Sequence, residues 1–236
     1  MSLLPKLNNV PKYDLTIPSS KKEIKVRPFL VKEEKIMLIA VESQDPKQIA
    51  TSVLDTVKSC IMTDVDSTKL TSYDIEYLFL QIRSKSVGET AKLLFKCTSC
   101  QEENEVTINL NDIKMEVKHA PNVIEITDNI SIEMQHPSYI SLANSESLTK
   151  GTPTEQIFSI IKEAVVSVMT ENERIDMREV DSAEFQEFLE SMTQAQFQKV
   201  RDYLETIPKL THTANFKCIK CATDNSVLME GLQSFL

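Results

Sequence analysis

Glycine is nearly missing from this sequence. Gly88, Gly151 and Gly231 are the only three in 236 residues, so neither a G-x-G-x-x-G turn nor a Walker-type phosphate cradle can be assembled, and nucleotide chemistry of those two kinds is excluded. Tryptophan is absent and aromatic residues make up 6% of the chain, which leaves few platforms for stacked bases. Positive charge is also in deficit, with 26 basic residues against 35 acidic ones and a net charge of -9. Such a field repels phosphate backbones unless a basic face is segregated. The longest purely apolar run, Ile36–Val41, falls far short of the ~20 residues that cross a bilayer. The opening Met1-Ser-Leu-Leu-Pro-Lys lacks the basic and apolar stretches of a secretory signal. The expectation is a protein with no transmembrane helix in a reducing cytoplasm, where cysteines are more often metal ligands than disulfides. With 41% hydrophobic and 26% charged residues, the chain has the composition of one or two globular domains.

Residues 1–22 carry Pro5, Pro11 and Pro18 among polar neighbours, which suits an extended arm lying on another surface. Ile24 and Val26 alternate with charges as in a short edge strand, and Val31–Glu42 reads as a helix. Asp45-Pro46 caps a second helix with Ile49, Val53, Val57 and Ile61 along one face. A third starts near Thr71, capped with Asp74, and buries a stripe of Ile75, Leu78, Phe79 and Ile82. From Leu93 the pattern alternates: Val106, Ile108 and Leu110 mark one strand, and Ile124, Ile126, Ile130, Ile132 and Met134 mark a pair around a turn at Asp128-Asn129. Thr152-Pro153-Thr154-Glu155 opens an apolar helix whose body runs from Ile157 to Met169. Two shorter helices follow, with stripes Phe185, Phe188, Leu189, Met192 and Phe197, Val200, Leu204, Ile207. They are divided at the capping box Thr193–Gln196 and stopped by Pro208. The fold class is therefore α+β, with an arm (1–22), a helical N-terminal region (23–90) and a β-rich, zinc-ribbon-like region (91–236) with a helical insert at 152–208.

Four of the five cysteines form two Cys-x-x-Cys pairs, Cys97/Cys100 and Cys218/Cys221, in matching contexts: Phe95-Lys96-Cys97-Thr98-Ser99-Cys100 and Phe216-Lys217-Cys218-Ile219-Lys220-Cys221. Two intervening residues let a tight turn aim both sulfurs at one point, and two such knuckles complete the thiolate tetrahedron that Zn²⁺ prefers. The gap of 117 residues, 101–217, is long. Closing it costs roughly 4 to 5 kcal/mol of chain entropy, whereas structural zinc binds with roughly 10 to 16 kcal/mol in small peptides. The metal wins, provided the insert folds and holds its ends together. Independent redox dithiols, a site shared between copies, or unligated thiols are the competing readings; the polar, strand-like residues after both pairs do not match the strand-to-helix frame of thioredoxin-like proteins.

No catalytic constellation emerges. Four thiolates leave zinc no position for water, Cys60 lies on the apolar stripe of the second helix, and His119, His136 and His212 share no ligand spacing. Carboxylate neighbours such as Glu33-Glu34, Glu102-Glu103 and Glu171–Glu173 read as solvated surface. Lys92, Lys96, Lys209, Lys217 and Lys220 form a modest basic cluster near the knuckles, which keeps a zinc-ribbon nucleic-acid-binding or transcription-related factor as the alternative.

The segment Val26-Arg27-Pro28-Phe29-Leu30-Val31-Lys32-Glu33-Glu34-Lys35-Ile36-Met37-Leu38-Ile39-Ala40 resembles the N-terminal signature of the baseplate-hub family of T-even-like contractile-tailed phages. Arg27-Pro28-Phe29 and Lys32-Glu33-Glu34-Lys35 are its most specific positions. The resemblance implies a non-enzymatic baseplate hub subunit or hub-assembly chaperone. It would be made in the host cytoplasm, would act in the virion baseplate or during its assembly, and would take other hub or central tail proteins as partners. The proline-rich arm and the apolar helix 153–169 are the partner-contact candidates, with burial in its own core the simpler account of the helix.

Overall fold

The computed structural model describes residues 9–116, 118, 120–145 and 151–235. The architecture is α+β, with seven α-helices and four small sheets among the described residues, in two compact units.

The first unit collects Met1–Ser67, Tyr73–Glu116 and Lys209–Leu236. Strand β1 (Tyr13–Thr16) pairs antiparallel with β2 (Glu23–Val26), so the stretch expected as an extended arm ends in a hairpin, while residues 1–8 of it lie outside the described residues. Ile17 is buried, and Ser19 donates through its N–H and Oγ to Asp74 at 2.9 and 2.6 Å. The Pro28 corner then turns the chain into α1 (Val31–Ser43). Arg27 fixes that corner: its Nη2 meets Glu33 Oε1 at 2.8 Å and its Nη1 donates to the Pro28 carbonyl at 2.9 Å. Glu33 Oε2 accepts the otherwise orphaned Leu30 N–H at 2.8 Å. Both side chains are largely buried, at 14% and 5% exposure.

Helix α2 (Pro46–Cys60) begins where Asp45 caps the Lys47 N–H and buries Val53, Val57 and Cys60. Helix α3 (Ser72–Val87) buries the full expected stripe of Ile75, Leu78, Phe79 and Ile82. Glu76 lies on the same helix, and burial pushes its carboxyl up to about 7 although the Leu232 N–H donates to it. A carboxyl whose folded value lies above its unfolded one holds its proton more tightly when folded, so stability declines as pH rises from the ordinary carboxylate range through about 7. Glu76→Gln is expected to flatten that decline, read as urea midpoints at about pH 5 and pH 8; an unchanged slope would assign the dependence elsewhere.

Strands β3 (Thr90–Lys96) and β4 (Glu103–Asn109) form one antiparallel hairpin. Strand β5 (Lys114–Glu116) pairs with β10 (Lys209–Lys217), which pairs in turn with β11 (Asp224–Glu230). Leu80, Ile108, Leu110, Leu210 and Met229 form the core around them. Lys209 stands opposite Glu116 in the register. The chain thus leaves this unit and returns to it on adjacent strands, which offsets the entropy of the long gap between the cysteine pairs.

The second unit comprises Thr68–Ser72 and Val117–Pro208. Its sheet is a meander of β6 (Val123–Thr127), β7 (Ile130–Met134), β8 (Val165–Thr170) and β9 (Arg174–Asp176), with helices α4 (Tyr139–Asn144), α5 (Pro153–Ala164), α6 (Ser182–Glu190) and α7 (Gln194–Leu204). Ile132, Met134, Ile161, Phe185, Leu189 and Val200 are at its core. The capping box expected at Thr152 and Glu155 is present, with the Thr152 N–H donating to Glu155 Oε2 at 2.6 Å. The helix it opens stops at Ala164, not Met169, because the β-branched run that follows pairs with β7, Val168 opposite Ile132. The same pairing draws β6 and β7 into this unit, so the inserted piece starts at 117 and not at the helix start of 152, and residues 1–67 share a unit with the cysteine hairpins. Helix α5 turns Ile157, Phe158 and Ile161 onto its own core, which accounts for its apolar character without a partner.

Candidate metal centre

Each Cys-x-x-Cys sits at the tip of a hairpin, between β3 and β4 and between β10 and β11. The tips are built alike. The Cys97 N–H donates to the Glu102 carbonyl and the Cys218 N–H to that of Thr223, both at 2.9 Å; the Gln101 and Ala222 N–H groups return to the Cys97 and Cys218 carbonyls, both at 3.0 Å. Gln101 and Ala222 hold φ of 61° and 58°, the left-handed conformation that usually selects glycine. The tight turn is therefore closed without drawing on the scarce glycines. Phe95 and Phe216 stack with centroids 5.8 Å apart.

All four sulfurs lie within 4.8 Å of one another. Cys97 Sγ is 3.6 Å from Cys221 Sγ and Cys100 Sγ is 3.6 Å from Cys218 Sγ, far beyond the ~2.05 Å of a disulfide. A tetrahedron with ~2.3 Å metal–sulfur bonds has edges of ~3.8 Å, so the constellation fits a tetrahedral ion. The Ser99 and Lys220 N–H groups donate to Cys97 and Cys218 at 3.4 Å. Backbone N–H donation from Cys100 lowers Cys97, and hydrogen bonding with Thr223 lowers Cys221 to about 6. Cys100 goes the other way. The Glu102 N–H pulls it down, but burial and the three neighbouring sulfurs together push it up to about 12. Four sulfurs this close cannot all ionise at neutral pH without a cation among them.

Two asparagines complete the site. Asn104 Oδ1 accepts from the Ile219 N–H at 2.9 Å, across on the other hairpin, and Asn225 Oδ1 accepts from the Thr98 N–H at 2.9 Å. Neither is anticipated from the motif, which stops at the second cysteine. The signal lies four residues further on: windows 95–104 and 216–225 share Phe, Lys, Cys, Cys and Asn at the same offsets.

A family model described as T4 bacteriophage base plate protein matches residues 10–236. The chain belongs to that family. No curated protein and no solved structure matches it.

The family match of this base plate protein covers both units, well past the N-terminal segment that carries the resemblance. That segment folds as β2, the Arg27–Glu33 corner and α1. Neither the fifth cysteine nor the described histidines of the base plate protein join the sulfur cluster. Cys60 is fully buried and burial pushes its thiol up to about 11. His136 packs against the Tyr203 ring and His212 lies in β10, while His119 is outside the described residues. Of the lysines near the knuckles, Lys92 pairs with Glu105 at 2.8 Å, Lys220 with Glu102 at 2.7 Å and Lys209 with Glu230 at 3.8 Å, which blunts the cluster as a phosphate-binding face. No helix among the described residues is long and apolar enough to cross a membrane.

Proposed function

We propose that this base plate protein is a non-enzymatic assembly component of a contractile phage tail, a baseplate hub subunit or hub-assembly chaperone, with a structural Zn²⁺ held by Cys97, Cys100, Cys218 and Cys221. An ion in four thiolates cross-links the hairpins and offers no open coordination position. The observation that carries the contact-driven part of the reading is α1. Ile36, Leu38, Ile39 and Val41 are each at least 50% exposed, while Ala40 and Glu33 alone are buried along the helix. The run Ile36–Val41 is apolar on every side of the helix. Such a stretch belongs inside something, and within a base plate the surface that covers it belongs to another tail protein.

Leu38→Asp combined with Ile39→Asp tests this. Each substitution removes up to ~1.5–3 kcal/mol of apolar burial in the complex, ~100-fold or more in affinity together. The variant is expected to fold and to keep its metal while losing capture of tail proteins, identified by mass spectrometry, from infected cells. Mass spectrometry of mature virions then separates a subunit, which is present in the particle, from a chaperone, which associates only with unassembled tail proteins. Undiminished capture and normal particle assembly by the variant would overturn the role of α1.

A further inference from the structure

We propose that Asn104 and Asn225 are reciprocal positioning residues for the metal, each one seating the first cysteine of the opposite knuckle. The proposal rests on the four-thiolate reading above and adds to it the residues that determine how the buried pair of sulfurs binds.

The geometry is crossed and nearly two-fold. Asn104 is 2% exposed and Asn225 5%, so neither amide is free to seek water. Asn104 Nδ2 donates to the Glu102 carbonyl of its own hairpin at 2.8 Å and lies 3.9 Å from Cys218 Sγ of the other. Asn225 Nδ2 donates to the Thr223 carbonyl at 2.9 Å and lies 3.6 Å from Cys97 Sγ. In both amides Oδ1 faces a backbone N–H across the site, and Asn225 Oδ1 also accepts from Thr98 Oγ1 at 2.9 Å. This fixes the orientation of the amides. A flipped amide would set N–H against N–H on one side and oxygen against a carbonyl on the other.

An asparagine that only shaped its own turn would need the bond to Glu102 or Thr223 and nothing more. These two also reach across, and both reach the same kind of target. Cys97 and Cys218 are the sulfurs without access to solvent, at 0% and 3% exposure, whereas Cys221 is exposed and Cys100 half-exposed. Four thiolates around a divalent cation carry a net charge of -2. Where water reaches the sulfur it spreads that charge; where water does not, N–H groups must. Each buried sulfur receives a backbone N–H from within its own knuckle and faces the amide of the opposite hairpin's asparagine. The nearby Lys220 Nζ is engaged by Glu102 at 2.7 Å.

The test uses the full chain with Asn104→Asp, Asn225→Asp and the corresponding alanines. Aspartate keeps the size and the acceptor for Ile219 or Thr98 but replaces the donor to sulfur and to the Glu102 or Thr223 carbonyl with a carboxylate oxygen that can add negative charge. Alanine deletes donor and acceptor without adding charge, so a band shift shared by aspartate and alanine is the one that reports the lost N–H. Zinc retention is measured by competition with a chromophoric chelator, and the thiolate-to-metal charge-transfer band is recorded after exchange with Co²⁺. Each variant is expected to lose roughly 10- to 100-fold in zinc affinity, and its cobalt band to move to lower energy, because a thiolate relieved of an N–H donor gives up electron density more readily. A merely structural role would leave the band of a still tetrahedral complex in place. Because Asn104 and Asn225 repeat one experiment at two positions, a folding defect in one variant leaves the other to decide. Wild-type affinity and an unmoved band in the variants would overturn the positioning role alone; wild-type protein that takes up neither zinc nor cobalt would overturn the four-thiolate reading with it.

Discussion

Cys218→Ser is expected to strip zinc from the purified protein and to lower its thermal midpoint more than any other single side-chain change. A serine hydroxyl does not ionise near neutral pH and is a poor replacement for a thiolate ligand. What remains is Cys97, Cys100 and Cys221, three sulfurs held close together with no cation to offset the repulsion of their ionised forms. An ion held by the four sulfurs would join residues more than a hundred positions apart, where chain-entropy arithmetic assigns a cross-link roughly 4 to 5 kcal/mol. Its own apparent binding free energy is of order 10 to 16 kcal/mol in peptides. Elemental analysis with scanning calorimetry checks the result. A chelator at neutral pH is expected to reproduce it, and acid to mimic it, because protonated thiols release the metal. Unchanged zinc content, or the same midpoint with and without the ion, would remove the metal from any structural role.

The second large effect belongs to the corner before α1. Glu33→Ala leaves the Arg27 guanidinium buried without its carboxylate and returns the Leu30 N–H to the unsatisfied state. Breaking one partner of a buried ion pair costs about 3 to 5 kcal/mol. Replacing both partners, Arg27→Met with Glu33→Leu, is expected to recover most of that loss, since two apolar side chains leave no stranded charge. The pH dependence has the opposite sign to that of Glu76. Burial pulls Glu33 up, but the Arg27 guanidinium and the Leu30 N–H outweigh it and hold the carboxyl below its ordinary range. Its contribution is therefore complete at neutral pH and is lost as pH falls through the lowered value. Denaturant midpoints at about pH 7 and pH 3 for the wild type and the single variants check both the size and the slope; a loss under ~1 kcal/mol would mean that water has access to the pair.

The four sulfurs were the most legible part of the molecule, because spacing within a Cys-x-x-Cys pair reports local turn geometry and the repeated Phe-Lys context reports that two turns are alike. The helix starts at Asp45, Thr152 and Thr193 were legible for a similar reason: each depends on a cap a few residues away. What escaped depends on distant partners. Val165, Val166 and Val168 continue an apolar helical pattern as readily as they form a strand, and the β7 register decides between the two. Asn104 and Asn225 look like ordinary polar strand residues until the hairpins are placed together. Glu33, at 4% exposure, sits in a run of charges that reads as solvated surface. Its burial follows from Arg27, six residues back beyond a proline corner, a separation that no helical or strand period detects.

The placement of the second unit between the two cysteine hairpins also sets an order in time. The ribosome delivers Cys97 and Cys100 first and must add the 117 residues 101–217 before Cys218 emerges. At ~5–20 residues per second that is a wait of roughly 6 to 23 s. Nearly all of the second unit is made within it, so the nascent chain can finish that unit while the clamp is still half-built. Metal capture at the proposed site would then be a late event, reporting on a chain already synthesised through its second knuckle.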